Sequence, residues 1–326
     1  VEIDYEMTQD GLTVEKGSVE NLSAAPHSDG KTELKLQVPS AGKIYLKFIY
    51  ILKKELPLLQ KGYVLGFEEI KLENQDGRNQ KVLEWAEKEE GAGTIIVKES
   101  AEKIELQANA FSYTLNKRNG LFEDIQCAGR NYLNHPMELN IWRAPTDNDM
   151  YIKSEWKKAH YDKAYTRAYN IEVLQNKYGV FIMEHLAVVA DTVQKIIDIE
   201  LTWKIDETGQ IIASMEAQKD EEFPDLPRFG IRLFLDKKFE DVAYYGMGPH
   251  ESYRDKHQAT SHGIYRSKVT DLHEDYIRPQ ENGSHYDCDY IELTNAQYGF
   301  AIVSEDSFSF NASYYTQEVL EQTEHN

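Results

Sequence analysis

Three short runs bring together the residue types that acid–base chemistry or sugar recognition needs. The first is Trp142-Arg143-Ala144-Pro145-Thr146-Asp147-Asn148-Asp149, with an aromatic ring, a guanidinium and two carboxylates. Two readings fit it. Asp and Asn bend and cap backbone and Pro sets its angle, so a plain turn is the commoner outcome. A sugar- or calcium-binding loop is the other, although the spaced acids and distal Glu of an EF-hand are missing. The second run is Gly246-Met247-Gly248-Pro249-His250-Glu251-Ser252-Tyr253. A His beside a carboxylate can act as general acid or base near neutral pH. Neighbours on a strand face opposite ways, so a hydrogen-bonded structural pair in a tight loop is the favoured reading. The third run, Pro279-Gln280-Glu281-Asn282-Gly283, supplies a further carboxylate in what also reads as a hairpin turn. Glu251 and Glu281 are the available types for the paired carboxylates of a glycosidase, whose separation only a structure gives.

The second and third runs bracket residues 244 to 286. Five of the ten histidines lie there: His250, His257, His262, His273 and His285. Their spacings match no common metal-ligand pattern, and no Cys-x-x-Cys occurs, so no metal site is assigned in this chain. The middle of the stretch lacks strand alternation and a helical apolar stripe. It reads as a long irregular excursion, of the kind that is usually functional or a lid.

The elements around these runs read as β-structure. Leu34, Leu36 and Val38 alternate, as do Ile44, Leu46, Phe48 and Tyr50 after Pro39-Ser40-Ala41-Gly42. About five such strands fit before residue 75, fewer than the roughly seven of a complete sandwich. Residues 73 to 93 read as a polar linker anchored by Trp85. Asn119-Gly120 between apolar runs signals a hairpin. Ile197, Ile199, Leu201, Trp203 and Ile205 share a face; Ile211, Ala213, Met215 and Ala217 follow, then Ile231, Leu233 and Leu235. Strands this long suggest a large two-sheet sandwich. Helix is expected only near 153–162 and 316–323. No βαβ rhythm exists, which argues against a (β/α)₈ barrel or a Rossmann domain.

With 326 residues, 41% hydrophobic and 28% charged, the chain is expected to fold as about two globular domains. A net charge of −20 disfavours nucleic acid as a partner. No apolar run of about 18 residues exists, so no membrane span is expected. Two cysteines, Cys127 and Cys288, fit a reducing, cytoplasmic setting better than a disulfide framework. The start, Val1-Glu2-Ile3-Asp4-Tyr5, is not a signal peptide and lacks an initiator Met, which reads as a cut segment or a processed product.

Four runs in order resemble the C-terminal region of the large bacterial β-galactosidases of glycoside hydrolase family 2. They are residues 143–149, 246–253 and 279–283, and Phe308-Ser309-Phe310-Asn311-Ala312-Ser313-Tyr314-Tyr315-Thr316. The resemblance covers about 94–326 and implies an all-β fold. Residues 1–93 would be a partial immunoglobulin-like linker sandwich. Residues 94–326 would be a large antiparallel supersandwich similar to galactose mutarotase, incomplete at its C-terminus. It implies a parent that hydrolyses terminal β-galactosides such as lactose by the retaining route, with both catalytic glutamates on a barrel outside this segment. The segment itself would then be inactive, supporting that barrel as part of one chain or beside a large subunit, in an oligomer. Mg2+ and Na+ are implied for the parent. Lys256 stands where the family commonly has Arg, and Lys cannot make the planar two-point bond. The alternative is a carbohydrate-binding or aldose 1-epimerase-like domain. Its cleft candidates are Trp142, Arg143, Asp147, Asn148, Asp149, His250, Glu251, Tyr253, Glu281 and Asn282.

Overall fold

The computed structural model describes residues 1–20, 22–25, 27–86 and 94–325. In chain order it begins with β1 (Glu2–Gln9), β2 (Leu12–Ser18), β3 (Ile44–Ile51), β4 (Val64–Leu72) and α1 (Gln80–Ala86). There follow β5 (Ile96–Glu99), β6 (Lys103–Gln107), β7 (Phe111–Asn116), β8 (Leu121–Cys127), β9 (Arg130–Asn131) and β10 (His135–Asn140). After α2 (Ile152–Lys158) come β11 (Tyr165–Asn176), β12 (Gly179–Ala190), β13 (Val193–Ile205), β14 (Ile211–Lys219) and β15 (Gly230–Phe234). The chain closes with β16 (Asp241–Gly248), β17 (Ser261–Lys268), β18 (Ser284–Thr294), β19 (Gly299–Asn311) and α3 (Gln317–Gln322). Among the described residues the fold is all-β, with antiparallel sheets and three short α-helices. No helix among the described residues is long and apolar enough to cross a membrane.

Packing groups the chain into two compact units. The first comprises residues 1–88, 239–274 and 282–314, and the second 89–238, 275–281 and 315–326. In the first unit, β2-β1-β3-β4 form one sheet and β17-β16-β18-β19 another. Met7, Ile44 and Leu46 form the core of the N-terminal sheet, with Tyr5, Leu36, Phe48 and Leu72 against them. Leu34 and Leu36 are half-buried as their alternation predicts, yet residues 31–39 form no strand. Among the described residues, four strands rather than five precede residue 75.

Two expectations are corrected in this unit. The span read as linker contains α1, whose Val82 is buried. Asn79 Oδ1 caps α1 by accepting the Lys81 N–H at 3.1 Å, and Trp85 packs edge-on to Tyr290. Residues 87–93 lie outside the described residues. The stretch 244–286 is no irregular excursion, for it contains most of β16 and all of β17. β17 escapes a pattern reading because it opens with two consecutive polar residues, Ser261 and His262, whose side chains are both buried.

In the second unit, β5 to β9 form a meander, β10 pairs with β15, and β11 to β14 form a four-stranded sheet. Ile197, Ile199, Leu201, Trp203 and Ile205 all point into the core. The hairpin at Asn119-Gly120 joins β7 to β8, with Gly120 at φ +71°. A side chain at Gly120 would strike Leu186 and Glu184. Burial of this continuous apolar set is the main driving force of the unit.

Candidate functional site

The run 142–149 is a loop fastened from both ends in the second unit. Trp142 is 3% exposed, so it is a core residue, and its Nε1 donates to Glu321 at 3.1 Å. Arg143 grips Asp149 with two parallel bonds, Nε–Oδ2 at 3.1 Å and Nη2–Oδ1 at 2.6 Å. The same Asp149 carboxylate accepts the Thr146 N–H at 2.9 Å and its hydroxyl at 3.1 Å. Asp149 is thus buried and fully used in shaping the turn. Asp147 and Asn148 remain exposed at the tip.

The segment 278–281 fastens to this loop within the same unit. Gln280 Oε1 accepts the Asp147 N–H at 3.2 Å, and its Nε2 donates to the Arg278 carbonyl at 3.2 Å. The Glu281 N–H donates to the Ala144 carbonyl at 3.1 Å. Glu281 is 4% exposed and its carboxylate is ion-paired with Arg228. Removing one partner of such a buried pair costs about 3–5 kcal/mol. A cleft beside the loop is lined by Asp147, Met150, Lys153, Lys157, Arg278 and Glu321. Its wall sets charges of both signs beside apolar Pro145, Met150 and Pro279.

The run 246–253 lies in the first unit. A side chain at Gly246 would collide with Cys288 Sγ, and one at Gly248 with the Tyr244 hydroxyl. These glycines therefore serve close packing of β16. Ser252 is fully buried and links the loop to β18. Its N–H donates to the Ser284 carbonyl at 2.7 Å, and its Oγ accepts the Tyr286 N–H at 2.9 Å. Glu251 accepts the Gly283 N–H at 2.9 Å, the Tyr253 hydroxyl at 3.5 Å and an ion pair from Lys256. Lys256 meets Glu251 through one oxygen, where an Arg would offer a fork. His250 is exposed. Asn282, 5% exposed, accepts the Glu274 N–H at 3.0 Å, and the Asn311 amide donates to its carbonyl.

The five histidines of this stretch do different work. His285 is buried against Tyr244 and Phe310, and burial pushes its pKa down to about 4, so its ring is neutral. His262 is paired with Glu69 and Asp287. Sequence reasoning missed Arg228 as the partner of Glu281 and Glu69 as that of His262. They lie 53 and 193 residues away along the chain, and no local signal announces them. Cys127 and Cys288 are both free. Among the described residues no group of three or more His, Cys, Asp or Glu could hold a metal ion.

A family model for the β-galactosidase small chain matches residues 107–326, and one for β-galactosidase domain 4 matches residues 1–73. The β-galactosidase of Actinobacillus pleuropneumoniae is 38% identical over 323 residues, covering 99% of this chain and 31% of that protein. That of Staphylococcus xylosus is 35% identical over 214 residues, covering 66% of this chain and 22% of that protein. That of Pseudoalteromonas haloplanktis is 24% identical over 337 residues, covering 98% of this chain and 31% of that protein. The chain thus spans less than a third of the length of these relatives. With a small-chain match over most of its length, this chain belongs to the β-galactosidase small-chain family.

Proposed function

We propose that this chain is a non-catalytic, C-terminal part of a β-galactosidase. The parent hydrolyses terminal non-reducing β-D-galactosides such as lactose by the retaining two-carboxylate mechanism, on a barrel outside these residues. The chain supports that barrel, within one polypeptide or beside a large subunit, in an oligomeric, cytoplasmic enzyme. Residues 1–93 act as its linker sandwich and residues 94–326 as its supersandwich. The two free cysteines favour the reducing compartment.

The observation that carries this reading is the occupation of both candidate carboxylates. Glu281 is committed to Arg228, and Glu251 to Lys256 and the Gly283 N–H. A general acid or base must present a free lone pair or proton to substrate. Glu281 is 4% exposed and Glu251 is tied to the Gly283 N–H, so we read both as holding loops in shape. The exposed tip residues Asp147 and Asn148 and the cleft beside them are the part of the chain suited to help wall a sugar pocket.

The test is a pair of assays on the purified chain: hydrolysis of a chromogenic β-galactoside, and polarimetric mutarotation of fresh α-galactose. Both are expected to match the buffer rate. Hydrolysis above background sinks the non-catalytic reading. Mutarotation that disappears in Glu281→Gln or His250→Ala moves the assignment to an epimerase-like domain.

A further inference from the structure

His262 stands where the two sheets of the first unit are tied together. It projects from β17, and its side chain is 7% exposed. Its Nδ1 lies 2.7 Å from Glu69 Oε1 on β4, and its Nε2 lies 2.9 Å from Asp287 Oδ2 on β18. The Glu69 carboxylate also accepts the His262 backbone N–H at 3.0 and 3.1 Å. Tyr45 of β3 stacks on the ring at 4.0 Å and 13°, and Tyr245 of β16 lies 6.4 Å away. The next charges out are paired: Lys43 with Asp289, and Lys47 with the Ser261 hydroxyl.

The geometry requires two N–H groups. Imidazolium has two donors and satisfies both carboxylates; neutral imidazole has only one. Once the proton leaves, one of the two carboxylates, Glu69 at 10% or Asp287 at 30% side-chain exposure, faces a ring lone pair at hydrogen-bond distance. The cost is that of one lost charge-assisted hydrogen bond and of two acceptors left facing each other, while Glu69 keeps the His262 backbone N–H.

We propose that His262 is a proton-gated clasp between the β1–β4 sheet and the β16–β19 sheet, closed while its ring is protonated and loosened when the proton leaves. This does not rest on the galactosidase assignment. The carboxylates outweigh burial and raise the His262 pKa above its ordinary 6.5. The clasp is therefore whole below about pH 6.5 and is lost as pH rises through the raised value. On the acid side, the His262 bond holds the Asp287 carboxyl well below the usual carboxylate range. Mild acid therefore leaves that contact intact.

The test combines NMR titration of the His262 ring with hydrogen exchange of β4 and β17, corrected for the intrinsic pH dependence of exchange. In the wild-type chain His262 is expected to titrate above 6.5. Protection is expected to fall above that midpoint, by on the order of tenfold per pKa unit of upward shift. In His262→Gln, protection is expected to be lower in mild acid and level across the same pH range. Should that variant fail to fold, Glu69→Gln keeps the test alive, with the wild-type midpoint expected to move to lower pH. A His262 midpoint at or below 6.5, wild-type protection level through the range, or an equal fall in His262→Gln overturns the clasp.

Discussion

Glu184 lies far from its ordinary chemical state. It is 3% exposed in β12, its Oε2 accepts the Trp203 indole N–H at 3.2 Å, and its Oε1 has no partner. Burial among apolar neighbours pushes its pKa up to about 9, so it is a neutral acid at pH 7. A carboxyl whose folded value is raised stabilises the fold fully below its ordinary value near 4.5. That contribution drains away as pH rises toward 9. Glu184→Gln keeps the shape and removes the titration. The thermal midpoint of the variant is expected to exceed that of the wild type at pH 8, by a gap that widens with pH at up to about 1.4 kcal/mol per unit. Calorimetry across pH 5–9 checks this, and parallel curves for the two proteins refute it. The inward position of Glu184 was available from alternation with Ile182 and Leu186. Its protonation was not, because that depends on the apolar burial that only the packed core supplies, working against the Trp203 hydrogen bond that favours the charged form.

The loop 143–149 and the segment 278–281 owe their shape to each other. The sequence read each as a turn, since Asp, Asn, Pro and Gly signal bends locally. The first is an irregular loop, and the second bends without joining a hairpin, for the β17 and β18 that flank it both pair with β16. The sequence did not pair the two, because Gln280 and Asp147 are 133 residues apart. The opposite error befell α1, whose cap and apolar spacing were legible in Asn79, Val82 and Trp85 but were submerged in polar surroundings. Long strands such as β13 were the most legible elements, since every second residue over their length reports the same buried face. Gln280→Ala removes the side-chain bond to the Asp147 N–H. Hydrogen exchange of residues 144–151 is expected to quicken, while the global unfolding midpoint moves by no more than about 1.5 kcal/mol, the net worth of a typical hydrogen bond. Unchanged exchange in that segment would show that the loop is held by the Arg143–Asp149 pair and the Glu281 N–H to Ala144 bond without Gln280.

The first compact unit joins chain segments far apart in sequence, and charge helps to hold them. Lys43 before β3 pairs at 2.5 Å with Asp289 of β18, whose side chain is 1% exposed. Asn79 adds a hydrogen bond to the other oxygen of Asp289 at 3.0 Å. This contact spans 246 residues, and so escapes any local reading of the chain. Buried pairs are fragile to single changes and tolerant of paired ones, because desolvation is offset only while both charges remain. Asp289→Ala leaves the Lys43 ammonium and the Asn79 amide without their acceptor and is expected to cost about 3–5 kcal/mol in denaturant unfolding. Adding Lys43→Met to that variant removes the stranded charge and is expected to recover most of the loss. The Asn79 amide stays unpaired, at about 1–3 kcal/mol, which sets the residual deficit. If the double variant is no more stable than Asp289→Ala alone, the pair does not act as a charge couple. The junction then rests on the apolar contacts of Val82, Tyr245 and Tyr290 around α1.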